Sequence, residues 1–286
     1  MKIGIIIKQL RVNKKILSKN LYHNLLTRAA IVKFEKGESD TSSEKFLEIL
    51  DRLNITLEEF HYIYIKTKEK DERQISPSEY MVAFYNRDVK KLKYIAEVSE
   101  NKFFLKGDIK DLHSKILSNV FINTILEKEN LHSEIDIIKD YLLNCNSWGY
   151  YELTLFINTL DFYSEELIDI TFKKTKANLN SYEHMVRYRN EVSILLLNIL
   201  DKQIRSKNYK SARKYYKNLF EIKNVTLDNM YLQSMIKYFG EILDFIEGNA
   251  EAEDKILKII EVFFFLDMEH KAMQCKQLFD LVKSDK

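Results

Sequence analysis

Three stretches of the chain set one amide side chain inside an otherwise apolar helical run. They are FINTIL (Phe121–Leu126), FINTLD (Phe156–Asp161) and the looser LLNILD (Leu196–Asp201), with Asn123, Asn158 and Asn198 as the amides. An amide withdrawn from water without partners costs roughly 1–3 kcal/mol. Each of these therefore needs a partner, either a neighbouring helix or something bound. A carboxamide donates and accepts at once, which suits the backbone of an extended chain whatever its side chains are. Asn158 and Asn198 are each followed three residues later by an aspartate, Asp161 and Asp201, one turn further along the same face.

The second constellation is one of charge. Met1 to Lys36 carries nine basic residues against a single acid, Glu35, whereas Gly37 to Tyr64 carries two basic and seven acidic ones. A face this basic on a small domain commonly meets phosphate backbones, although charge alone equally fits a solvated face. The whole chain has a formal net charge of only +2, so the local distribution says more than the total.

The elements that must position these groups read as helices. One proline (Pro77) and six glycines in 286 residues argue against a fold of many tight β-turns. An apolar content of 45% is enough for a sizeable core. Near the start, apolar residues recur at helical spacing in five short stripes. These are Ile3/Ile6/Ile7/Leu10, Leu21/Leu25, Ile31/Phe34, Phe46/Leu47/Leu50/Leu53 and Leu57/Phe60. None is long enough to be stable alone, so the five must share one core. Ser18 and Thr27 are expected to cap the second and third helices, Lys36-Gly37 ends the third, and Thr56 with Glu59 forms a capping box for the fifth.

This order of elements resembles a helix-turn-helix domain of the lambda-repressor type. Across TRAAIVKFEKGESDTSSEKFLEILDRLNITLEEF (Thr27–Phe60) the chain resembles the Rgg/GadR/MutR group of bacterial transcription regulators. The shared features are the FE-basic-GES phrase and a close like LDRLNITLEEF. The resemblance implies that the third helix, Thr27 to Lys36, enters the major groove of double-stranded DNA. Lys14, Lys15, Lys19, Thr27, Arg28, Ala29, Val32, Lys33 and Lys36 are then the candidate contacts. Arg28 suits a guanine edge or a phosphate, and Lys33 and Lys36 suit phosphates. The group usually carries small polar residues or glutamine around Ala29, Ala30 and Val32, so its operator preferences do not transfer. Arg11 and Glu35 match an arginine–glutamate pair of such domains, which implies an internal ion pair rather than a DNA contact.

Beyond a charged stretch at residues 66–77, taken as a linker between a head (1–65) and the remainder (78–286), the pattern is helical almost throughout. The three asparagines lie 35 and then 40 residues apart, and Gly240, in YFGEILDF, marks a weaker fourth copy 42 residues on. Self-similarity at this period is the mark of stacked helix pairs. The pairs are expected at Ser147–Leu160 with Ser164–Lys174, Tyr182–Asp201 with Tyr209–Ile222, and Leu227–Phe245 with Ala252–Leu266, capped by His270–Val282. The phrase from Trp148 to Asn158, W-x-x-Y-E-L-x-L-F-x-N, again resembles the Rgg-type group. That group implies an all-α fold: a helix-turn-helix head, then a right-handed, tetratricopeptide-like helical-repeat solenoid that dimerises and binds a short signalling peptide. Asn123, Asn158, Asp161, Arg187, Arg189, Asn198 and Asp201 are the candidate peptide contacts. The asparagines fit equally as bridges between neighbouring helices of the stack.

No phosphate-binding glycine loop, nucleophile elbow or metal-like spacing of the six histidines and two cysteines (Cys145, Cys275) occurs, so neither an enzyme nor a cofactor is expected. No apolar run reaches the length of a membrane span, and the cysteine count fits the cytoplasm. The reading is a cytoplasmic, homodimeric, peptide-responsive transcription regulator of quorum-sensing type. The alternative is a helical-repeat docking scaffold with constitutive or weak DNA binding.

Overall fold

A computed structural model describes residues 2–67, 77–129, 132–179, 185–222 and 229–285. Sixteen α-helices, and no strand, occur among the described residues. They fall into two compact units, Met1–Glu79 and Tyr80–Lys286. Most of the expected linker, 68–76, lies outside the described residues.

The first unit holds α1 (Ile3–Asn13), α2 (Ser18–Leu21), α3 (Arg28–Glu35), α4 (Ser43–Arg52) and α5 (Leu57–Lys66). Its core is Ile6, Ile7, Leu21, Tyr22, Phe34, Ile49, Leu50, Leu53, Ile55 and Phe60. Two leucines of the expected stripes face water: Leu47 is 52% and Leu57 56% exposed. On α4 the inward face runs Phe46, Ile49, Leu50, Leu53, so Leu47 falls one residue outside it and Ile49 takes its place. Leu57 is the first residue of α5, where the helix has only begun to turn toward the core.

The helix ends follow their local chemistry. Thr27 Oγ1 accepts from the Ala30 amide at 3.3 Å, and Thr56 and Glu59 close a reciprocal capping box. Ser18 does not cap α2: it is the first helical residue, and Leu17 occupies the capping position with no side-chain bond. Instead, Arg52 of α4 donates to the carbonyls of Leu21 and His23 at 3.0 and 2.7 Å, fixing the end of this single helical turn from outside. Gly37, at φ +74°, lets the chain leave α3, with Glu38 N–H donating to Lys33 O. Gly4 permits α1 to lie against the end of α3: a Cβ there would sit 1.8 Å from Phe34 O.

Between α1 and α3 lies an ion pair. Arg11 donates from Nε and Nη2 to the two carboxylate oxygens of Glu35 at 2.7 and 2.9 Å, and from Nη1 to Ile16 O. Tyr22 donates its hydroxyl to Glu35 at 2.8 Å. Burial pushes the Glu35 carboxyl up, but the bonds from Arg11 and Tyr22 outweigh it and hold it below its ordinary value.

The second unit contains α6 (Pro77–Tyr85), which starts at the boundary, then α7 (Val89–Lys106), α8 (Ile109–Ile125), α9 (His132–Asn144), α10 (Tyr150–Thr159), a short 3₁₀ turn (Leu160–Phe162) and α11 (Glu165–Leu179). It continues with α12 (Val186–Arg205), α13 (Tyr209–Ile222), α14 (Met230–Ile246), α15 (Ala252–Phe265) and α16 (Glu269–Ser284). Sequential helices pair as hairpins, α12 with α13 and α14 with α15, and alternate helices α8, α10, α12, α14 and α16 pack side by side. This is the helical-repeat solenoid. Residues 182–184 and 227–228, the expected starts of two repeats, lie outside the described residues; α12 and α14 are described from Val186 and Met230. Gly240 marks no fourth polar position. A Cβ at Gly240 would fall 2.4 Å from the hydroxyl oxygen of Tyr216, so this glycine makes room for the tyrosine of α13.

The residues of the Trp148–Asn158 phrase pack within the repeat. Trp148 is buried, donates to Leu142 O and meets Phe156 edge-on. Tyr151 bonds Nδ1 of the buried His113 at 2.7 Å, and burial lowers that imidazole to about 4, so it stays neutral near pH 7. Glu152 caps α10 by accepting from Gly149 N–H and also accepts from Tyr141.

Replacing Arg11 by Ala should cost the first unit about 3 kcal/mol at neutral pH, since it leaves a buried carboxylate short of its main partner. Because the folded Glu35 pKa is lowered, the pair stabilises fully above the ordinary carboxylate range and loses its effect as pH falls through the folded value. Native-state hydrogen exchange of the α1–α3 amides, compared between pH 7 and acid, should show the cost of the substitution shrinking toward acid.

Candidate functional site

Each unit presents a surface of its own. In the first, α3 buries Phe34 and Glu35 and half-buries Ile31, which leaves Arg28, Ala29, Val32, Lys33 and Lys36 exposed. Val32 is 51% exposed, an unusual apolar residue in the middle of a basic face. Lys14, Lys15 and Lys19, from the end of α1 and from α2, are exposed as well, as is the capping Thr27. Arg11 is not part of this face, its guanidinium being held by Glu35. The face thus combines cations suited to phosphates with a helix whose exposed side can enter a groove.

In the second unit the inner helices enclose a cavity of about 920 Å³. α10 and the turn after it supply Ile157, Asn158, Leu160 and Asp161; α12 supplies Ile194, Leu197, Asn198, Asp201 and Arg205. The α12 positions follow i, i+3, i+4, i+7, i+11, a single face of one helix. α14 adds Tyr231, Met235, Tyr238 and Phe239, at the same kind of spacing. The start of α16 brings Lys271, Gln274, Cys275 and Leu278, while Met81, Phe84, Tyr85 and Phe121 close the wall from α6 and α8.

Four of the sequence-derived candidates, Asn158, Asp161, Asn198 and Asp201, share this wall. Asn158, on the cavity wall, donates back to Thr154 O of its own helix at 2.8 Å, which steadies the amide. Asn198 is exposed, and its side chain makes no hydrogen bond among the described residues. Asp201 is held by Arg205 one turn on, Nε to Oδ2 at 2.7 Å and Nη2 to Oδ1 at 3.3 Å. Of the other three candidates, Asn123 and Arg189 are not among the residues of the wall, and Arg187 is not described there. Asn123 is half-buried on α8, whose contribution is Phe121 two residues earlier. Arg189 is half-buried in the first turn of α12, and the side chain of Arg187 lies outside the described residues. The arginine of the cavity is at the opposite end of α12: Arg205, legible in the sequence as the residue four after Asp201 on the same face.

The seam between α10 and α12 is closed by a lysine. Lys202 Nζ donates to the carbonyls of Leu160, Asp161 and Tyr163 at 3.1, 3.0 and 2.9 Å, where the backbone leaves α10. Carbonyls at a helix end lack intrahelical donors, and a cation there satisfies them and complements the helix dipole. Burial lowers the Lys202 pKa, with Asp161 and Glu165 opposing the shift. Burial likewise lifts the Cys275 thiol to about 11, so this cysteine stays protonated at neutral pH. Among the described residues no group of three His, Cys, Asp or Glu side chains is placed to hold a metal ion, and no helix is long and apolar enough to cross a membrane.

Comparison with known proteins bears on both surfaces. The family described as "HTH-type transcriptional regulator Rgg, C-terminal domain" matches residues 81–277, more than half of the chain. Among solved structures, a putative transcriptional regulator from Listeria monocytogenes EGD-e is similar at a TM-score of 0.83 and 21% identity, over 99% of this chain and 97% of that one. The SHP pheromone receptor Rgg2 of Streptococcus dysgalactiae is similar at 0.74 and 22%, over 97% and 98%. The PrgX chain of a PrgX/cCF10 complex is similar at 0.72 and 17%, over 99% and 92%. At these identities the three establish a shared fold.

Lys202→Met should lower the stability of the second unit by about 2 kcal/mol, because three carbonyls at the seam lose a charged donor. Urea unfolding followed by far-UV circular dichroism checks this, and a change below about 0.5 kcal/mol would show that water replaces the ammonium at no cost.

Proposed function

The chain belongs to the Rgg family of HTH-type transcriptional regulators, and from that premise we propose that it is a peptide-responsive regulator of quorum-sensing type. On this reading the α3 face binds double-stranded DNA and the cavity of the second unit binds a short signalling peptide. The observation that carries it is the wall shared by Asn158, Asp161, Asn198 and Asp201. Two amides one repeat apart meet an extended backbone in register, and the surrounding Leu197, Met235, Phe239 and Leu278 receive apolar side chains. Three of the similar folds support the idea by what they are: Rgg2 is a pheromone receptor, PrgX was solved with cCF10, and a further similar structure is a bacterial peptide pheromone/receptor complex.

The protein acts in this reading as a cytoplasmic homodimer, with one head on each half of a roughly palindromic operator. Peptide binding changes transcription only insofar as the peptide prefers one arrangement of the dimer over another. Arg28, Lys33 and Lys36 hold the phosphates or a base edge, and Ala29 and Val32 meet thymine methyls.

Two measurements test the two halves. Replacing Arg28 and Lys33 together by Ala should reduce duplex binding at least tenfold and lower the salt slope by about two phosphate contacts, with the fold unchanged. Replacing Asn158 and Asn198 by Ala should weaken peptide binding about tenfold, as expected for the loss of two hydrogen bonds, while the melting temperature stays the same. A lowered melting temperature with unchanged affinity would show instead that these amides bridge helices.

A further inference from the structure

The charged groups around the cavity are unequal in sign and in how far they are already used. Among the described residues of the wall the permanent cations are Arg205, bound to Asp201 on both arms, and Lys271, which has no carboxylate partner and lies 5.9 Å over the ring of Tyr231, against four carboxylates. Three carboxylates on the same wall, Asp161, Asp267 and Glu269, are exposed and have no ion-pair partner among the described residues. Asp161 has a cation close by, but Lys202 spends its three donors on backbone carbonyls, one of them Asp161's own. The helix ends nearby largely offset one another: Lys202 already meets the carbonyls after α10, and the amino end of α16, which begins at Glu269, opposes the carbonyl end of α15 beside Asp267, so the imbalance rests on the side chains themselves. Much of the remaining wall is aliphatic and aromatic, with Gln274 and Gln277 among its polar members, and apolar stretches of wall strengthen the field of the charges that rim them.

From this imbalance we propose that the cavity selects apolar peptides bearing a positive charge, and disfavours the same peptides bearing a carboxylate. The inference rests on the peptide reading above and adds the chemistry of the ligand. The cation, a lysine or arginine side chain or a free amino terminus, is drawn by the summed field of Asp161, Asp267 and Glu269, which rim the same cavity. Asn158 and Asn198 hold the backbone, and the apolar side chains fill the aromatic wall. His270, on the same wall, is bonded to Gln274 at 3.0 Å.

The test uses the full chain and three pools of fluorescein-labelled heptapeptides. Six positions are randomised over Leu, Ile, Val and Phe, and the seventh is Lys, Gln or Glu. In fluorescence anisotropy at low salt the lysine pool should bind roughly tenfold more tightly than the glutamate pool, with the glutamine pool between them. The gap should shrink as salt shortens the Debye length. The triple variant Asp161→Asn, Asp267→Asn, Glu269→Gln should bring the three pools together. These side chains are exposed, and Asn tolerates the φ of +56° at position 267, so the variant is expected to fold, as circular dichroism would show. Equal binding of all pools to the wild type, a preference for glutamate, or a lysine preference that survives the triple variant would overturn the proposal while leaving the peptide reading intact. Failure of every pool to bind would overturn both.

Discussion

An amide or carboxylate repeated on one face of successive helices cannot be buried dry, and the second unit is arranged around that constraint. α12 packs against α10, α13, α14 and α16, yet the face that carries Asn198, Asp201 and Arg205 is left to a cavity of about 920 Å³. The opposite faces supply the core: Val192, Leu195, Leu196, Ile199 and Leu200 are all buried. Dividing the helix this way satisfies the hydrophobic term on one side and the polar term on the other. Lys202 then fixes the spacing between the two asparagine-bearing helices by gathering the carbonyls at the end of α10.

The same logic operates in the first unit with the sign of the problem reversed. There a carboxylate, Glu35, is buried, and its position on α3 is retained because Arg11 and Tyr22 surround it with charge-assisted and neutral donors. The pair joins the first helix to the third from within. What remains outside on α3 is a short row of cations around Val32. A buried polar cluster thus sets the orientation of the exposed face, and the exposed face carries the chemistry.

How much of this was legible in the sequence depended on whether the signal was local. Helix caps at Thr27 and Thr56, the exit at Gly37 and the hairpin repeats follow from neighbours a few residues apart, and the chain reads out most of them. Asp161 and Asp201 could be placed with their asparagines because three residues on a helix keep the same face. Leu47 could not be told from Ile49 without knowing the angle at which α4 meets the core. Gly240 looked like a fourth copy of the repeat, but its cause is Tyr216 on the previous helix, which no spacing within α14 could show. Arg189 was drawn by charge at the start of α12, whereas the described inner wall draws its arginine, Arg205, from the other end of that helix, where α16 packs against it. Contacts between repeats decide which turn of a helix faces the cavity, and a linear pattern holds little of that information.

The account stands or falls on what occupies the inner wall. The most direct measurement is photo-crosslinking of the full chain with short apolar peptides carrying a diazirine on the side chain, followed by mass mapping of the labelled residues. Label concentrated on the inward residues of α10, α12, α14 and α16, and competed away by unlabelled peptide, is the result expected. Label confined to the outer helices α11, α13 and α15, or insensitive to competitor, would contradict it.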